Sequence, residues 1–137
     1  MPLFFLACLA LATAGCEQLR TVKQCRALSD SVNPKLEAIG ASPGEPATAA
    51  GYQKAAVGYA NLAQEVDQFD AGVPELDRAV DDYASALRTS SVHAGELAKA
   101  LDAGNLESAA LAGRELEQLK HAQKSAVKRF QQECQGH

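Results

Sequence analysis

Residues 74–101 read PELDRAVDDYASALRTSSVHAGELAKAL. Leu76, Val80, Tyr83, Leu87, Ser91, Ala94, Ala98 and Leu101 recur at steps of three and four, which places them on one face of a helix. Pro74 suits a first helical turn, and Glu75 and Asp77 favour the positive end of the helix dipole. Gly104 stops the pattern, and Asn105 can cap the next helix. A helix with one apolar face buries it only against other elements. The rest of the chain must therefore supply partners for it.

The next segment supplies one. Leu106, Ala109, Gly113, Leu116, Val127, Phe130 and Cys134 keep the helical spacing, while Lys120 and Gln123 occupy apolar places in the middle. A neighbouring register through Leu119 and Ala126 repairs part of that gap. On the other side, Gly51-Tyr52 recurs as Gly58-Tyr59. Tyr52, Tyr59 and Val66 lie seven apart, with Ala56, Ala63 and Phe69 on the same seam. Gly51 and Gly58 either admit a neighbouring helix closely or stand as tolerated surface glycines. Farther upstream, Leu19, Val22, Cys25, Leu28, Val32, Leu36 and Ile39 form a further stripe. Asn33-Pro34 predicts a kink or a restart within it. Residues 40–48, GASPGEPAT, read as a connection.

The expectation is an all-α, antiparallel, up-down-up-down four-helix bundle over residues 16–137. Its helices are placed at 17–40 (broken or kinked near 33–34), 46–71, 74–103 and 105–135. Composition agrees. Hydrophobic residues make up 47%, which excludes a disordered chain, yet aromatics are only 5% and Trp is absent. Much of the apolar share is alanine, which favours closely packed helices over a β-sandwich. The net charge of -4 argues against nucleic acid as the main partner.

The first fifteen residues, MPLFFLACLALATAG, carry no charged side chain. As a helix they rise about 22 Å, short of the roughly 30 Å hydrocarbon core, so they fit a secretory signal segment better than a membrane span. The Lys or Arg usual at the start of such a segment is missing. Ala12-Thr13-Ala14 offers one cleavage site, which would release a soluble chain beginning at Gly15. Thr13-Ala14-Gly15-Cys16 offers another, because it resembles the lipobox of bacterial lipoproteins. Ala14 and Gly15 match that box, and Thr13 departs from it where Leu is usual. The resemblance covers residues 1–16. It implies a diacylglycerol on the Cys16 thiol, cleavage before Cys16, and a membrane partner reached through that lipid. In the sorting pattern of enteric bacteria, Glu17 rather than Asp after the lipidated Cys implies the outer membrane. The helical part resembles the small helical lipoproteins of Gram-negative bacteria as a class, without specific motifs.

Cysteine parity favours the lipid reading. Of Cys8, Cys16, Cys25 and Cys134, Cys8 leaves with the signal segment under either cut. Lipid on Cys16 then leaves an even pair, whereas the soluble reading leaves three thiols in an oxidising compartment. In an up-down-up-down bundle, Cys25 near the start of the first helix and Cys134 near the end of the fourth lie side by side. A disulfide between first and last helices is expected, with two buried free thiols as the alternative.

Signals for chemistry are sparse. His93, His121 and His137 show no zinc spacing, and the Glu-x-x-His motif of di-iron bundles is absent, so neither a metal nor another cofactor is expected. Glu75, Asp77, Asp81 and Asp82 read as a solvated acidic face. Ser90 and Ser91 near His93 read as polar surface residues, because no orienting acid is evident. No catalytic residue is therefore assigned. Lys120, Lys124, Lys128 and Arg129 form a basic stripe, either an ordinary exposed face or a contact for anionic lipid or an acidic envelope polymer. The function expected is that of a lipid-anchored envelope protein, facing the periplasm or the cell surface, with a non-enzymatic interaction or structural role and an envelope protein as partner. The alternatives are a small-ligand or lipid carrier using the bundle interior, and a secreted soluble protein cut after Ala14.

Overall fold

The computed structural model describes the backbone of residues 5–40 and 48–135, and the side chains of residues 19–39 and 48–135. Four helices succeed one another: α1 (Phe5–Gly40), α2 (Ala49–Asp67), α3 (Pro74–Asp102) and α4 (Leu106–Gln135). The helix α3 lies against both α2 and α4, while α1 lies against α2 and α4, diagonally across from α3. This is the expected all-α bundle with up-down-up-down packing.

The helix ends arise from local chemistry. Thr48 caps α2, its Oγ1 accepting from the Gly51 amide at 3.1 Å. The second helix thus starts at Ala49 rather than at 46; positions 46 and 47 lie outside the described residues. It also ends at Asp67, short of the expected 71. There Asp70 Oδ1 accepts from the Gly72 amide at 2.9 Å, and Gly72 takes φ +67°, a turn that leaves the helix. Asp77 Oδ1 accepts from the Ala71 amide at 3.0 Å and fastens that turn to the start of α3. At the far end Gly104 adopts φ +66°, and Asn105 Oδ1 accepts from the Ser108 amide at 3.1 Å to open α4. The restart expected near Asn33-Pro34 does not occur, because α1 continues through Pro34 with both residues exposed. An exposed ring leaves the carbonyl that loses its helical partner within reach of water.

Two apolar clusters fill the interior. The larger joins all four helices through Cys25, Leu28, Val32, Leu62, Val66, Leu76, Val80, Tyr83, Leu87, Ala126 and Phe130. The smaller, among the described residues, draws on α2, α3 and α4, around Leu97, Ala100, Ala109, Ala112 and Tyr52. Alanine lets the helices approach closely throughout. Gly58 does the same for α1, since a Cβ there would stand 2.8 Å from Ile39 Cγ1. Of the two readings of this glycine, close approach is the one observed.

Each neighbouring pair of helices has its own fastening. Ser31 and Lys35 of α1 both donate to the Glu65 carboxylate of α2; the lysine first, then the serine, holds its pKa below the usual range. Asp67 of α2 meets Arg88 of α3 at 2.5 Å, and Asp82 of α3 meets Arg129 of α4 at 2.9 Å. The last pair, α4 and α1, is closed covalently by the Cys25–Cys134 disulfide, with a Cα–Cα separation of 5.8 Å. Exposed ion pairs contribute little to stability, typically below about 1 kcal/mol each. Here they chiefly fix register.

Candidate functional site

Cys16, the expected lipid site, lies outside the residues whose side chains are described. The segment between it and the packed bundle begins at Leu19. Cys25 is buried, but Leu19 and Val22, which continue its stripe toward Cys16, are 65% and 47% exposed. The apolar face of α1 therefore extends past the packed part of the bundle. Arg20, Lys23 and Arg26 are exposed on the same stretch. Periodicity alone assigns Leu19 and Val22 to the core and gives no hint of this mixed apolar and basic segment. The signal that could have found it is three cations at steps of three, beginning four residues after Cys16.

The other basic stripe runs along α4. Lys120, Lys124, Lys128 and Arg129 are all exposed. Lys120 is paired with Glu117, whose hydrogen bond raises the lysine pKa, and Arg129 is held by Asp82. Lys124 and Lys128 have no ion-pair partner among the described residues. Fourteen residues of helix separate Lys120 from Cys134, about 21 Å. The stripe stands along the bundle and not across its bridged end.

The serines beside His93 correct the sequence reading. Ser90 is fully buried; its Oγ donates to the Ala86 carbonyl at 2.9 Å and accepts from Gln123 Nε2 at 2.6 Å. Gln123 occupies an apolar register position because its partner is this hydroxyl. A buried hydroxyl without such partners would be costly, so the pair belongs to the core. Ser91 Oγ donates to the Ala56 carbonyl of α2 at 2.7 Å. Ser90 is thereby closed off from solvent, while Ser91 is half-buried and fastens α3 to α2.

His93 is drawn into a different group. Its Nδ1 lies 2.9 Å from Glu96 Oε2, three residues on in α3, and 3.0 Å from Glu115 Oε2 of α4. Donor atoms of the three residues all lie within 4.8 Å of one another. The ring is 23% exposed, at the rim of the bundle. The Glu-x-x-His pattern does not describe this group, because here the order is His-x-x-Glu and the third member sits 22 positions after His93 on another helix.

The interior holds a crevice of about 50 Å³, lined by Leu28, Val32, Tyr83, Val127 and Phe130 among others. That is well below the roughly 300–1,000 Å³ of small-molecule sites. Burial, and secondarily the nearby Tyr59, pushes the Tyr83 phenol up to about 12. Unfolding returns it to about 10. Stability from this group is thus intact below pH 10 and declines as pH rises toward 12, by an amount on the order of 2–3 kcal/mol. Urea midpoints measured from pH 8 to 11.5 should fall over the last units, and Tyr83→Phe should flatten that fall. Equal slopes in both chains would dissociate Tyr83 from it.

Among the described residues no helix is long and apolar enough to cross a membrane. Comparison of the chain with protein-family models, curated proteins and solved structures finds no match.

Proposed function

We propose that the chain is a lipid-anchored protein of the bacterial cell envelope, most consistent with the outer membrane, in which a disulfide-closed bundle serves a non-enzymatic interaction or structural role. The observation that carries this reading is cysteine use. Cys25 and Cys134 are committed to each other, and the signal segment would take Cys8 with it. Cys16 is then the odd cysteine of the mature chain, at the position the lipobox resemblance selects.

Two features support it. Nine residues of helix separate Cys16 from Cys25, so the bridged end of the bundle would stand within about 14 Å of the anchor. The intervening Leu19 and Val22, with Arg20, Lys23 and Arg26, combine the apolar and cationic groups that favour a lipid surface. Diacylglycerol supplies two chains at about 0.8 kcal/mol per buried CH₂, enough to hold firmly where one chain holds marginally. The carrier alternative gains little from the crevice beside Tyr83, whose roughly 50 Å³ is small for a ligand within the core.

The test is Cys16→Ser. The wild-type chain should partition with membranes and carry acyl mass on an N-terminal Cys16. The variant should move to the soluble fraction with its bridge intact. A wild-type mature chain that begins at Gly15 without acyl mass, or a variant that fractionates like the wild type, would overturn the proposal.

A further inference from the structure

His93, Glu96 and Glu115 present three potential ligands from two helices: one imidazole nitrogen and two carboxylates. Each carboxylate reaches the same ring nitrogen, at 2.9 and 3.0 Å. A proton on Nδ1 satisfies one such acceptor well, yet two compete for it. With a neutral ring the group holds two negative charges, and with a charged ring it still holds one in excess. No Lys or Arg forms an ion pair with Glu96 or Glu115 among the described residues. Within ion-pair distance among the described residues, the two carboxylates therefore meet one basic group, the His93 ring.

From this geometry we propose that His93, Glu96 and Glu115 bind a divalent transition-metal ion, Zn²⁺ being the probe, and that the ion ties α3 to α4. Adjacent ligands at about 2.1 Å from an octahedral ion lie about 3.0 Å apart, and those of a tetrahedral ion about 3.4 Å apart. The observed nitrogen–oxygen separations already fall at the first value. Both carboxylates sit on flexible three-torsion side chains that can open the remaining edge. An imidazole with carboxylates suits zinc and its first-row neighbours, whereas Mg²⁺ and Ca²⁺ prefer oxygen alone. Three protein ligands leave the other positions to water. The ion would sit near the smaller apolar cluster, where Leu97 comes directly after Glu96 and Leu116 directly after Glu115. Among the described residues α1 contributes nothing to this cluster, so a metal clasp there complements the covalent one between α1 and α4.

The experiment is titration of the metal-free chain, bridge intact and the Cys8 and Cys16 thiols alkylated so that neither competes for metal, with ZnCl₂ by calorimetry, and with CoCl₂ by visible absorption. One equivalent should bind, the thermal midpoint should rise, and Co²⁺ should develop weak ligand-field bands typical of nitrogen–oxygen coordination. His93→Ala, Glu96→Gln and Glu115→Gln should each weaken Zn²⁺ binding about tenfold or more. His121→Ala and Glu107→Gln, which alter residues outside the group, should leave it unchanged. Circular dichroism of each variant verifies that the bundle remains folded. Absence of binding at millimolar Zn²⁺, or loss of binding in His121→Ala with retention in His93→Ala and Glu115→Gln, would overturn the proposal. In either case the group would be a hydrogen-bonded cluster alone.

Discussion

Reducing the Cys25–Cys134 bridge is expected to lower the unfolding free energy by about 4 to 5 kcal/mol in the chain-entropy treatment of disulfides. The reason is the size of the loop. The two cysteines are separated by 109 positions, so the bridge restrains most of the 137-residue chain when unfolded. Domains of this kind are commonly stable by only about 5–15 kcal/mol, and the bridge would then supply a large part of the total. Urea unfolding of oxidised and reduced protein measures the difference, and Cys25→Ser with Cys134→Ser repeats it without reductant. The loss should be uneven. In the described core α1 is fixed by Cys25, Leu28 and Val32, with Leu36 and Ile39 only half-buried, whereas α3 is enclosed on two sides. Hydrogen exchange should show α1 amides losing protection first on reduction, with those around Leu87 protected until global unfolding. Equal midpoints for the two redox forms would refute the assignment of this role to the bridge.

Leu87→Ala should be the most damaging single truncation, costing about 3–5 kcal/mol. Leu87 is fully buried in the cluster where all four helices meet. Its surroundings decide the size of the effect. Ala63, Ala84 and Ala126 belong to the same cluster, and an alanine has no side-chain torsion with which to swing into a void. The cavity should stay open. Leu28→Ala should cost less, about 2 kcal/mol, because Leu28 already borders a crevice beside the more loosely packed α1. Chemical denaturation of both variants against wild type tests the ordering. Equal losses would mean that α1 is packed as rigidly as α3.

Much of the fold is legible in the sequence because helix periodicity and caps are local. Leu76, Val80, Tyr83 and Leu87 declare α3, and Gly104-Asn105 marks its end. The disulfide is a consequence of topology, since antiparallel helices bring Cys25 beside Cys134. Local signals fail where long-range partners decide. Leu19 and Val22 share the stripe of Cys25, yet they are exposed because the bundle's other helices leave them uncovered. Ser90 reads as surface without Gln123, 33 positions away, which supplies its hydrogen bond. The metal-ligand group is half visible as His93-x-x-Glu96. Its third member depends on the pairing of α3 with α4, which no single-helix pattern contains. The proposed address rests on residues 1–16, and the structure adds the exposed basic segment between those residues and the bundle.

Mechanical load gives the bridge a further meaning. A helix pulled from one end detaches by peeling, turn after turn, starting where the tension enters. Tension arriving from the N-terminal side of α1 meets the sulfur–sulfur link at Cys25 before it meets Leu28, Val32 or Ile39, and passes sideways into α4. The modest apolar seam of α1 is thereby kept out of the stress path, and the weakest-packed helix becomes a sound place from which to hang the whole body.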